Sequence, residues 1–161
     1  MKTMRLFPLE LSRLLQSRPT WLIITLTVLS PVAGLVHYKR TAFATMLSVY
    51  LANPAIAGGV AGAICFGLLT VFELDRACRS RVDVLMNTVV SPLTTALTRL
   101  LALMTAAVLT MVLTMLIWLP VSAGLIGSVF SSMNYGLAYL LFMGLALPLG
   151  ILAAASAFQF T

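Results

Sequence analysis

The side chains able to do acid–base, thiol or metal chemistry are few: one histidine, His37, four carboxylates, Glu10, Glu73, Asp75 and Asp83, and two cysteines, Cys65 and Cys78. A catalytic or metal site needs such groups gathered in one place. Here His37 stands apart, while Glu73, Asp75 and Asp83 are interleaved with Arg76, Arg79 and Arg81 in a single charged segment. No Gly-rich phosphate loop of the G-x-x-x-x-G-K-[ST] type occurs. The hydroxyls of Thr25, Thr27 and Ser30 have their own helix backbone to bond. Cys65 lies in an apolar run and Cys78 in the charged segment after it, so they set no disulfide framework. The chain is therefore expected to be no enzyme, to hold no metal or cofactor, and to hydrolyse no ATP by itself. Ion-coupled transport would call for ionisable groups inside apolar spans. The nearest is Glu73, expected at a helix end, facing water or pairing with Arg76.

The elements that would carry these residues are apolar. Hydrophobic residues make up 61% of the chain and charged residues 9%, against roughly 45–50% and about 25% in soluble domains. Every charge lies at or before Arg99, and Leu100 to Thr161 carries none. A water-facing domain would need charge on its outer surface. The net charge of +6 does not form a basic patch on a water-facing surface but flanks apolar runs, which points to a membrane and away from nucleic acid. The N-terminal region is amphipathic and no small-residue cleavage site follows the first apolar run, so that run is expected to be a retained span.

The expected fold is all-α: a polytopic helical membrane protein of four transmembrane helices in a single domain over 1–161. Phe7, Leu11, Leu14 and Leu15 recur at helical spacing. They predict an interfacial helix within 1–19, with Arg5 and Arg13 toward lipid headgroups and Pro8 confined to its first turn. The first span is placed at 20–36, with Trp21 and Tyr38 at its ends and a kink at Pro31. Ser30 or a neighbouring helix would satisfy the carbonyl that Pro31 frees. The uncharged run from Thr41 to Phe72 exceeds one helix, and Asn53-Pro54 is expected to break or kink it before a second span at 54–72. In that span Gly58 and Gly62 form a G-x-x-x-G pair beside Gly59 and suit close helix packing.

Residues 73–99 are expected outside the lipid, because the six charges between Glu73 and Asp83 would be prohibitive at the membrane centre at about 2.5–3.5 kcal/mol each. Cys78, Val82, Leu85, Met86 and Val89 share one helical face, and Arg76, Arg79, Ser80, Asp83 and Asn87 share another. This predicts an amphipathic helix over 76–89. Ser91-Pro92 then suits an N-cap followed by a first helical residue. The third span is placed at 100–119, closed by Trp118 with Pro120 beyond, and a polar loop from Val121 to Asn134 leads to a fourth at 135–158 that Pro148 interrupts. With the N-terminus in the cytoplasm, eight basic residues (Lys2, Arg5, Arg13, Arg18, Arg76, Arg79, Arg81 and Arg99) lie inside and two (Lys39 and Arg40) outside. The positive-inside rule favours that orientation in the cell membrane.

The order of parts, and the stretch FELDRACRSRVDVLMNTVVSPLTTALTRLLA in particular, resembles the N-terminal part of an ABC type-2 transporter permease. In that family an acidic residue and a basic cluster leave the second span, a coupling helix docks on the ATP-binding subunit, and a Ser/Thr-Pro step precedes the third span. Glu73, Arg76, Asp83 and Ser91-Pro92 occupy the matching positions, and ELSRLLQSRPTWLI, from Glu10 to Ile23, is similar to the family's N-terminal elbow helix. The chain has Arg81-Val82 where the family often has Gly-Thr. The resemblance implies a permease subunit partnered by a separate ATP-binding-cassette subunit and a second permease half. It also implies further spans after Thr161, Arg76, Arg79, Asp83 and Asn87 as the polar docking face, and Val82, Leu85, Met86 and Val89 as its buried side. The competing expectation is a small accessory or scaffold subunit that binds other membrane proteins through the glycine face and transports nothing.

Overall fold

A computed structural model describes residues 3–34, 47–79, 91–126 and 132–158. Five helices run through them: α1 (Thr3–Leu15), α2 (Arg18–Leu29), α3 (Leu47–Arg79), α4 (Pro92–Ile126) and α5 (Ser132–Phe158). There is no strand among the described residues. Within α3, α4 and α5, the stretches Asn53–Arg79, Leu93–Trp118 and Gly136–Phe158 are 27, 26 and 23 residues long and apolar enough to cross a membrane. At a rise of about 1.5 Å per residue each exceeds a hydrocarbon core of ~30 Å.

α1 and α2 meet at a sharp corner built from local hydrogen bonds. The Gln16 and Ser17 amides donate to the Ser12 and Leu14 carbonyls, and the Trp21 indole N–H donates to the Leu15 carbonyl at 2.7 Å. Those carbonyls belong to the last turns of α1, where intrahelical donors run out. Ser17 has the extended backbone of an N-cap, Pro19 sits in the first turn of α2, and the Ser17 and Thr20 hydroxyls meet at 2.6 Å.

α2 stops at Leu29, and a further helical turn over 31–34 follows Ser30. Pro31 cannot donate back to Thr27. The Thr27 carbonyl accepts instead from the Ser30 hydroxyl at 2.6 Å, and the Val28 carbonyl accepts the buried Trp118 indole N–H from α4 at 2.7 Å. Of the two kinds of help expected for the carbonyl that Pro31 frees, Ser30 is the one supplied; Trp118 serves the next carbonyl along. Trp118 itself is a buried donor between helices, not an interfacial ring.

Four prolines behave differently from the sequence expectation. Pro8 is the sixth residue of α1, past its first turn, and Pro54, Pro120 and Pro148 lie inside α3, α4 and α5. Asn53-Pro54 therefore does not break the helix, the stretch 121–126 is helix and not loop, and Pro148 does not interrupt α5. In lipid no water competes for backbone groups, so a helix missing one bond remains better than an uncoiled segment, and a neighbouring chain can cover the gap. The turn holding Gly34 packs closely on the chain beside Pro54: a methyl built on Gly34 would stand 2.5 Å from the Asn53 carbonyl oxygen.

The most extensive contact in the bundle joins α3 to α5. The core between the helices is formed by Phe66 and Leu69 of α3, Leu103, Ala106 and Ala107 of α4, and Tyr139, Met143, Leu147 and Ile151 of α5. Leu14 of α1 belongs to the same core. The apolar stripe of α1 is thus turned partly onto its own bundle, chiefly against α4.

Candidate functional site

Every charged side chain whose placement is described lies at one end of the bundle. Glu73, at the point where α3 leaves its apolar stretch, is nearly buried, its side chain only 9% exposed. Its carboxylate accepts from the Arg13 guanidinium of α1 at 2.9 Å. Arg13 also meets Glu10 at 3.0 Å, one turn earlier in α1, and Glu10 lies 3.6 Å from Arg99 of α4. On the far side Arg76 stands 3.7 Å from Glu73. The result is an alternating row, Arg99, Glu10, Arg13, Glu73, Arg76, that ties α1 to both α3 and α4.

The Arg13–Glu73 link is a charge-assisted hydrogen bond, while the others in the row are ion pairs held by Coulomb attraction. With Glu10 at 11% and Arg99 at 12% side-chain exposure, these ions have lost much of their water, and removing one partner would strand the other. A cavity of about 20 Å³ lies within the row, lined by Glu10, Arg13, Glu73, Arg99 and neighbouring apolar groups. That is room for about one water.

Arg13 is accordingly directed into the protein and not toward lipid headgroups as its sequence position suggested. Glu73 pairs with Arg76 as expected, at 3.7 Å, but it is buried and its closest partner is Arg13 at 2.9 Å. No periodicity links residues 60 positions apart, so the pair had no sequence signal beyond the rarity of carboxylates beside apolar runs. Thr25 and Ser30 bond their own helix carbonyls as expected. The Thr27 hydroxyl is fully buried without a hydrogen-bond partner among the described residues.

Of the docking residues, Arg76 and Arg79 sit on the last turn of α3, at 58% and 80% side-chain exposure. They continue the helix of the second span and do not begin a separate one. Arg79 pairs with Asp75 at 2.9 Å one turn back. Asp83 and Asn87, with Arg81, Val82, Leu85, Met86 and Val89, lie outside the described residues, as do Lys39 and Arg40. Ser91 caps α4, its hydroxyl accepting from the Thr94 amide at 3.4 Å.

Gly58, Gly59 and Gly62 are buried. Methyl groups built on them would stand 2.9 Å from Met143 Sδ, 2.8 Å from the Phe142 carbonyl oxygen and 2.5 Å from Leu147 Cδ1, all on α5. Gly150 of α5 approaches the Ala63 carbonyl of α3 in the same way. The glycine face is thus occupied within the chain.

These features define a helical membrane protein with three helices long and apolar enough to cross the bilayer and a charged row at one end. No family model, curated protein or solved structure matches the chain.

Proposed function

We propose that the chain is a membrane-spanning permease subunit of an ATP-driven transporter. In this reading it has four crossings, the first led by α2 and the helical turn after Ser30. Its N-terminus is cytoplasmic in the cell membrane, and a separate ATP-binding-cassette subunit supplies the energy to a pair of permease halves. The observation that carries the reading is the continuity of α3. It runs without a break from the apolar zone to the exposed Arg76 and Arg79, so a push on its charged end displaces the whole span. Glu73, at the exit point, passes that displacement through Arg13 to α1 and through Glu10 to Arg99 on α4.

The scaffold reading gains nothing from the structure, because the glycine face it would use is filled by α5. The common placement of Arg13, Glu73 and Arg99 also supports putting the N-terminal helix and the charged segment on one side of the membrane.

The test uses Arg79→Glu and Asp83→Lys in the full chain, beside a control substitution at Asn134. Within α3 the Arg79–Asp75 pair is exposed and four residues apart, so its loss costs only a few tenths of a kcal/mol. At a docked interface reversal would cost about 2–5 kcal/mol. The expected result is normal membrane insertion with loss of the co-purifying ATPase subunit and of transport. Full retention of both in the two variants would overturn the docking role.

A further inference from the structure

Beside the charged row, between the start of α2 and the end of α3, lies an open depression of about 390 Å³ lined by Pro19, Phe72, Glu73, Asp75, Arg76 and Arg79. We infer that it binds the headgroup of an anionic phospholipid. The inference rests on the membrane reading alone and not on the transporter assignment.

The described charged side chains at this end are five arginines, Arg13, Arg18, Arg76, Arg79 and Arg99, against three carboxylates, Glu10, Glu73 and Asp75. Glu10 is engaged by Arg13 and Arg99, Glu73 most closely by Arg13, and Asp75 by Arg79. The positive excess therefore falls on Arg18, the chain neighbour of Pro19, and on Arg76, held by Glu73 only at 3.7 Å. Both are exposed; Arg76 lines the depression, and Arg18 directly precedes its lining residue Pro19 in the chain.

The lining and its surroundings then select the ligand. Phe72 and Pro19 are exposed apolar groups in the lining, and Leu68, one turn before Phe72 on α3, is exposed as well. Trp21, exposed on α2 with its indole N–H held by the Leu15 carbonyl, stands where interfacial aromatics mark the headgroup level. A free phosphate would use the arginines and leave the apolar side chains idle. A phospholipid uses both, its phosphate at Arg18 and Arg76 and its glycerol and upper acyl carbons along Phe72 and Leu68. Basic pockets between membrane helices on the cytoplasmic side bind anionic headgroups in this manner. Arg79, kept by Asp75, forms the outer rim and stays available to a cytosolic partner.

The test is native mass spectrometry of the full chain in detergent, titrated with phosphatidylglycerol or phosphatidylcholine of identical acyl chains. Phosphatidylglycerol is expected to be retained at least about fivefold better, a preference of the size one surface arginine confers. Arg18→Gln with Arg76→Gln should abolish the preference. Lys39→Gln with Arg40→Gln, which removes the same charge elsewhere, should preserve it. Because Arg18 and Arg76 are exposed, the double variant is expected to unfold at the wild-type temperature, which separates lost binding from lost fold. Equal retention of the two lipids by the wild type would overturn the proposal, as would equal loss in both double variants. Displacement of phosphatidylglycerol by inorganic phosphate at matched concentration would show an anion site indifferent to lipid, and would overturn it too.

Discussion

Arg13 and Glu73 stand 60 positions apart in the chain, yet their side chains meet at 2.9 Å in a site where the carboxylate has little access to water. Removing either partner leaves an ion poorly solvated. Arg13→Met, which strands the nearly buried Glu73 carboxylate, is expected to lower the unfolding free energy by about 3 kcal/mol, and Glu73→Met by somewhat less because the Arg13 it leaves is more exposed and still meets Glu10. The double variant should lose clearly less than the sum, since an apolar pair strands no charge. Thermal unfolding of the detergent-purified variants, followed by circular dichroism, measures the coupling; strictly additive losses would refute it.

The glycines between α3 and α5 should differ among themselves. Gly59→Ala drives a methyl toward the Phe142 carbonyl and Gly150→Ala toward that of Ala63, and neither backbone can move alone. A loss of about 1–3 kcal/mol is expected for each. Gly58→Ala meets only the Met143 thioether, a flexible group, and should cost less than about 1 kcal/mol. Comparable losses at Gly58 and Gly59 in the same unfolding assay would contradict the close backbone approach.

The two tryptophans donate hydrogen bonds of equal length from unequal settings. Trp118 is buried and serves the Val28 carbonyl, while Trp21 is exposed and serves the Leu15 carbonyl. Trp118→Phe should cost about 1–3 kcal/mol because the carbonyl is left dry. For Trp21→Phe water can replace the donor, so a loss of well under about 1 kcal/mol is expected. The difference in melting temperature between the two variants is the measurement, and a larger loss for Trp21→Phe would reverse the assignment.

Orientation can be read from the cysteines. Cys78 is exposed near the end of α3, and Cys65 is half-buried within its apolar stretch. A membrane-impermeant maleimide is expected to label Cys78 in inside-out vesicles and not in intact cells, and to label Cys65 in neither. Labelling of Cys78 from outside intact cells would invert the topology.

Much of the helical plan was legible because it rests on local chemistry. Ser91 ahead of Pro92, the uncharged runs and the glycine spacing each act within a few residues, and the structure places a helix start or a close contact at each. The prolines misled for a physical reason. At Asn53-Pro54 and Leu119-Pro120 the sequence resembles a break that water would reward, but lipid offers an uncoiled backbone no partner, so the helix persists. Trp118 misled because an indole N–H can serve a buried carbonyl as readily as the interface. The charged row was illegible because its links between helices, Arg13 to Glu73 and Glu10 to Arg99, join residues with no sequence spacing in common.

The bare approach of Gly150 to the Ala63 carbonyl has a mechanical consequence. Two helices touching backbone to backbone have no padding in which to shear, so α3 and α5 behave as one stiff beam. The seam between α4 and α5 is upholstered differently, with Met111, Met143 and Gly144 around an apolar cleft of about 310 Å³. Unbranched thioether chains rearrange at little cost. The α4–α5 seam is therefore the more compliant of the two, although α4 stays tied to α1 through Arg99 and to α2 through Trp118. A cross-link across the α4–α5 seam should stiffen the protein far more, by hydrogen exchange, than one between α3 and α5.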